Sequence, residues 1–98
     1  MISIDDKNYE LVENFRDCFD LEEFKSFFTD YFYDFDYIVG DYAYSRLRLK
    51  GFYNSDNKKC KKINNFLDKD KYINEKCAYK CRYFVLKSIE KLNDNLTK

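Results

Sequence analysis

The chain has no histidine, no proline and no tryptophan, and only two glycines, Gly40 and Gly51, among its 98 residues. Each absence closes a route. Without histidine there is no imidazole general base, no Ser-His or Cys-His nucleophile pair and no mixed Cys/His zinc site. Two isolated glycines make no glycine-rich loop to cradle a phosphate. No apolar run approaches the roughly 18 residues that a membrane-spanning helix needs. The Met-Ile-Ser-Ile-Asp-Asp start also lacks the basic and apolar regions of a signal peptide. These absences predict a cytoplasmic, non-enzymatic protein with no cofactor and no membrane partner.

What is present is aromatic and charged. A 98-residue chain that is 45% hydrophobic predicts one small domain, over residues 1–90, with the Lys- and Asn-rich residues 91–98 as a disordered tail. Ten Phe and ten Tyr exceed what one core encloses with every hydroxyl satisfied, so several Tyr belong at the surface. In a cytoplasmic protein, Cys18, Cys60, Cys77 and Cys81 are expected as reduced thiols rather than structural disulfides. The net charge of zero conceals an asymmetry: residues 1–40 carry eleven acids against three bases, a net −8, which leaves +8 on residues 41–98. That split fits either two oppositely charged faces or an acidic helix lying against basic strands. A pI of about 6.3 lies below that of a dedicated nucleic-acid-binding domain.

Periodicity predicts an α+β domain in the order β-α-β-β-α-β, a mostly antiparallel sheet with helices on one face. A first strand over Tyr9 to Phe15 places Tyr9, Leu11 and Phe15 on one side. Asp20 and Glu23 form a capping pair that opens a helix, whose stripe runs through Leu21, Phe24, Phe28, Tyr31 and Phe35. Tyr37 to Val39 reads as a buried strand, Gly40 to Ser45 as a turn or bulge, and Arg46 onward as the return strand of a hairpin. Gly40 marks a bulge or a close backbone approach. Ile63 to Cys77 permits one or two short helical turns. Tyr83 to Leu86 has apolar residues in both phases, as a central strand covered on both faces requires.

The return strand alternates cations with aliphatics: Arg46, Arg48 and Lys50 share one side and Leu47 and Leu49 the other. A cationic stripe over a buried anchor suits phosphate or carboxylate groups, and it equally suits a solvated sheet face. Asp36 to Tyr53, in which the stripe lies, resembles the signature of the YutD-like family of small bacterial proteins, whose pattern runs close to DYIVGDWGYGQLRLKGFY. The departures are Tyr42 for Trp, Ala43 and Ser45 for Gly, and Arg46 for Gln. The family pattern thus shares Arg48 and Lys50, and Arg46 is this chain's own. The resemblance continues upstream through Tyr9 to Arg16 and Phe19, and downstream from Cys77 to Leu86. It implies a fold and no particular reaction, substrate or catalytic residue.

The leading functional reading is a binding surface on the hairpin. Arg46, Arg48 and Lys50 would engage anionic groups, and Tyr42, Tyr44 and Tyr53 would supply flat rings on which the bases of RNA or a ribonucleoprotein could stack. The alternative is a protein-interaction adaptor that uses the same Tyr and Arg side chains as a hot spot. A third reading makes Cys77 and Cys81, four apart, a thiol or metal site, against which stand the lack of histidine and of a Cys-x-x-Cys unit. Asp36 and Asp41 are read as turn and strand-end residues rather than a catalytic carboxylate pair.

Overall fold

Apolar residues in both phases of the central strands build a sheet with two apolar faces. The computed structural model describes residues 2–4, 7–43, 46–76 and 82–89. Strands β1 (Ile2–Ile4), β2 (Lys7–Phe15), β3 (Tyr37–Ala43), β4 (Arg46–Phe52) and β5 (Tyr83–Ile89) form one sheet in the order β1-β2-β5-β3-β4. All four strand pairings are antiparallel. Helices α1 (Leu21–Phe27) and α2 (Lys69–Lys76) and three short 3-10 turns complete an α+β domain. The chain ends its described course in β5, which lies between β2 and β3. There Phe84 and Leu86 point to one face and Val85 to the other, all fully buried.

The two faces carry separate cores. On one, Tyr9, Ile38, Leu47, Phe84 and Leu86 pack against Phe24 of α1 and against Phe28, Phe32 and Phe35, which follow it. On the other, Val39, Phe52 and Val85 pack against Ile73 of α2, with Phe66 and Tyr72 beside them. The helices therefore cover both faces, where the sequence pattern suggested one. The reason is visible in β3: Ile38 and Val39 are both apolar and point opposite ways, so each needs its own cover.

Three local features also depart from expectation. β1 pairs with β2 as an N-terminal hairpin, Ile2 opposite Tyr9 and Ile4 opposite Lys7, adding a strand ahead of the predicted order. The β2–β5 register shifts between Leu11 and Glu13. The extra residue, Val12, turns Phe15 to the face opposite Tyr9 and Leu11, where its ring stacks on Tyr83 at 5.2 Å. Helix α1 begins as predicted: the Asp20 carboxylate accepts from the amides of Glu22 and Glu23. It stops at Phe27, however, because Phe28 is extended (φ −78°, ψ 131°), and a 3-10 turn over Asp30–Phe32 follows. The break brings Phe28, Phe32 and Phe35 onto the core from separate directions and leaves Tyr31 exposed.

Gly40 lies inside β3 rather than at a turn, since the strand continues to Ala43. A Cβ there would overlap the Phe84 ring, so the close-approach reading holds. Residues 44–45, and residues 91–98, expected as a tail, lie outside the described residues, as does residue 90.

Two outcomes follow from this packing. Gly40→Ala should destabilise the fold by about 1–3 kcal/mol in urea denaturation, and should cost less when Phe84 is already Leu, because the lost space is shared between the two sites. Tyr9 is fully buried, and burial pushes its phenol up to about 12. The folded state keeps this proton where an unfolded phenol, near pH 10, releases it. The resulting stability is complete below about pH 10 and is lost as pH rises through about 12. Stability curves at alkaline pH should accordingly fall less steeply for Tyr9→Phe.

Candidate functional site

The cationic stripe of β4 lies on the α2 face of the sheet, with Arg46, Arg48 and Lys50 opposite Ala43, Asp41 and Val39. Its members are not equivalent. Asp41 is wholly buried, and the Arg48 Nη2 donates to its Oδ2 at 2.6 Å while 41% of the Arg48 side chain stays exposed. A carboxylate taken out of water needs such a partner, and that hydrogen bond raises the guanidinium's already high pKa. The Lys50 Nζ lies 5.2 Å from the Phe52 ring and 5.7 Å from the Tyr72 ring, close enough for cation–π attraction to both. Burial first, and then the Asp41 charge, pushes the Tyr72 phenol above its ordinary value. Arg46 is exposed.

Two of the three predicted tyrosines, Tyr42 and Tyr53, do not join this surface. By register, Tyr42 and Tyr53 point to the α1 face. The Tyr42 hydroxyl donates to Glu23 Oε1 at 2.7 Å, and the Arg82 guanidinium sits 4.2 Å from its ring centre. Burial and this Glu23 contact raise its pKa. Glu23 thus serves Tyr42 rather than closing the predicted capping box. Tyr53 is only 8% exposed and packs on Phe35 at 4.7 Å. Tyr44 lies outside the described residues. The aromatic that does join the stripe is Tyr72, whose role depends on which face α2 covers.

Two grooves meet at this corner. One, of about 380 Å³, is lined by Lys50, Phe52, Lys62, Ile63, Lys71 and Tyr72 among others. The second, of about 360 Å³, follows β4 past Tyr31, Phe35, Leu49, Gly51, Ile63 and Tyr72. Ile63 belongs to both and is 76% exposed. Its spacing to Phe66 and Leu67 reads as part of a short helical turn, and nothing in that pattern marks it as a surface residue.

The charge asymmetry is met in part by internal pairing. Lys59 bonds Asp34, and the Lys69 Nζ bonds Glu13 Oε2 at 2.7 Å, tying α2 to β2. The Asp36 Oδ2 accepts from the Asn54 amide and the Asn57 side chain, which is strand-end chemistry as expected. Cys18 is buried, and burial raises its thiol pKa. Cys77 and Cys81 lie outside the described residues. Among those described, no group of three or more Cys, Asp or Glu is placed to hold a metal ion, and no helix is long and apolar enough to cross a membrane.

A small antiparallel sheet with one helix on each face and a cationic edge strand defines a compact α+β module. Residues 3–87 match the family described as "Putative antitoxin YutD-like", and the chain belongs to this YutD-like family. It is 46% identical over 91 residues to a Bacillus subtilis (strain 168) protein named "Putative antitoxin YutD", covering 93% of this chain and all of that one. The solution NMR structure of yutD from B. subtilis superposes with a TM-score of 0.78 at 46% identity, covering 93% of this chain and 83% of that one.

The Asp41–Arg48 pair gives a direct test. Arg48→Met should destabilise the fold by about 1–3 kcal/mol, because it takes a charged hydrogen-bond partner from a buried carboxylate. Adding Asp41→Asn should recover much of the loss, and a double-mutant cycle in urea measures both values.

Proposed function

We propose that the chain is a non-enzymatic, cytoplasmic protein-binding module of the antitoxin type, whose binding surface is the corner where β4 meets α2. The observation that carries this reading is Ile63. It stands 76% exposed where two grooves meet, beside Phe52 and Tyr72 and within a rim of mixed charge, Lys50, Lys62 and Lys71 with Asp68 and Glu75. An apolar centre beside aromatic rings with a charged rim is the anatomy of a protein interface. The name of the B. subtilis relative points the same way. An antitoxin counteracts a toxin, and a chain without a recognisable catalytic motif does so by binding.

RNA or a ribonucleoprotein takes second place as partner. Stacking needs exposed ring faces. Tyr53 is buried and Tyr42 points to the other side of the sheet. The adaptor expected from the sequence draws on the same Tyr42 and Tyr53 and loses them too, so the interface proposed here is centred on Ile63 instead.

Affinity capture of the tagged full chain from a reduced lysate, with and without ribonuclease, tests the assignment. A stoichiometric protein partner that survives nuclease is expected. Its recovery should fall about tenfold for Lys62→Glu/Ile63→Ser, a loss of about 1.4 kcal/mol, with the circular dichroism of the variant unchanged. Capture that vanishes with ribonuclease would overturn the reading.

A further inference from the structure

The outer edge of β4 carries a backbone pattern of its own. The Tyr53 amide donates to the Asn64 carbonyl at 2.7 Å, and the Phe66 amide donates to the Tyr53 carbonyl at 2.9 Å. The Tyr53 backbone therefore points away from β3. On the inner side, the Asp36 amide donates to the Phe52 carbonyl at 3.0 Å. Backbone direction alternates along an antiparallel strand, so Gly51, Leu49 and Leu47 present their N–H and C=O groups outward, as Tyr53 does. Asn65 pairs with Tyr53 as an isolated parallel bridge, which the chain enters from the 3-10 turn at Lys62–Asn64 and leaves through the 3-10 turn at Phe66–Asp68. Among the described residues no strand continues that pairing along β4. The groove of about 360 Å³ past Leu49 and Gly51 runs beside this stretch.

We infer that β4 binds an extended segment of a partner protein as an added strand, and that this segment alternates acidic with apolar side chains. The inference rests on the protein-binding reading above and names how the partner docks. A strand laid beside β4 would send alternate side chains to the two faces of the sheet. On one face they meet Arg46, Arg48 and Lys50, where acids form favourable cross-strand pairs. On the other they meet Leu47, Leu49 and, over Gly51, the Phe35 ring, with Tyr31 nearby, an apolar strip that suits aliphatic residues. Outward backbone groups supply affinity, and the alternating pockets supply selectivity. The site already accepts one short piece of backbone, Asn64 to Phe66, at its end.

A second copy of this chain is a poor occupant. Two β4 edges paired with each other would set Arg46, Arg48 and Lys50 of one against the same cations of the other on one face, and like charges opposite each other are destabilising. Cations on an edge strand also discourage such self-association, which leaves the edge available to an acidic segment.

Amide hydrogen exchange by NMR on the full chain tests the inference, using the acetylated and amidated peptide Glu-Val-Glu-Ile-Glu-Val-Glu and its Lys-for-Glu counterpart. The acidic peptide should slow exchange at Leu47, Leu49 and Gly51 by about tenfold or more and leave the amides of Arg48 and Lys50, directed to β3, nearly unchanged. Arg46→Glu should weaken the effect, and the Lys peptide should give none. Absence of protection at those three amides, equal protection by the Lys peptide, or protection that rises with protein concentration alone would each overturn it. A nuclease-resistant partner captured without protecting these amides would sink the added strand and spare the protein-binding assignment. Protection by the peptide without any captured partner would do the reverse.

Discussion

The Phe84 ring rests on the bare backbone of Gly40, in the middle of the sheet, and much of the larger core is arranged around that contact. Phe19 meets Phe84 edge-on at 4.9 Å, and Phe24 does so at 6.2 Å. Through Phe24 the packing passes to Phe28 at 5.3 Å and from there to Phe32 at 6.1 Å. A side chain at position 40 would lift the ring, and with it the seat of α1. The helix is only seven residues long, too short to be stable on its own in water. Its existence therefore depends on this tertiary seat as much as on the Asp20 cap.

The opposite face works differently. Its core is smaller, and charges are woven into it: Arg48 over Asp41, Lys50 against Phe52 and Tyr72, Lys69 between Glu13 and Asp70. The α1 face is dominated by ring packing, whereas the α2 face combines ring packing with paired charge and leaves grooves along its margin. In the proposed reading, recognition falls beside α2 and the α1 face is foundation.

Much of this was legible in the residues. Strict alternation gave the faces of β4, two-phase hydrophobicity gave the central place of β5, and the scarcity of glycine marked Gly40 as a point of close approach. What was not legible depends on contacts distant in sequence. The stripe from Leu21 to Phe35 has helical spacing, but it is interrupted at Phe28 because its rings reach the core from several directions, a demand that local periodicity does not register. The bulge at Val12 inverts Phe15 without altering composition. Tyr42 and Tyr53 neighbour the cations in sequence yet face away from them by parity alone, and Tyr72 joins the stripe only because α2 covers that face.

The cations at every second position of β4 have a consequence for pairing accuracy. Sliding β4 by two residues along β3 would keep each side chain on its proper face and would still oppose Asp41 with a cation, either Arg46 or Lys50. Electrostatics is thus nearly degenerate between the native register and its neighbours. The glycine on β4 removes that degeneracy, because the Phe35 ring occupies the space where a Cβ of residue 51 would stand, and a shifted strand would bring Leu49 or Tyr53 beneath it. The hairpin is aligned by where a side chain is missing rather than by where its charges stand.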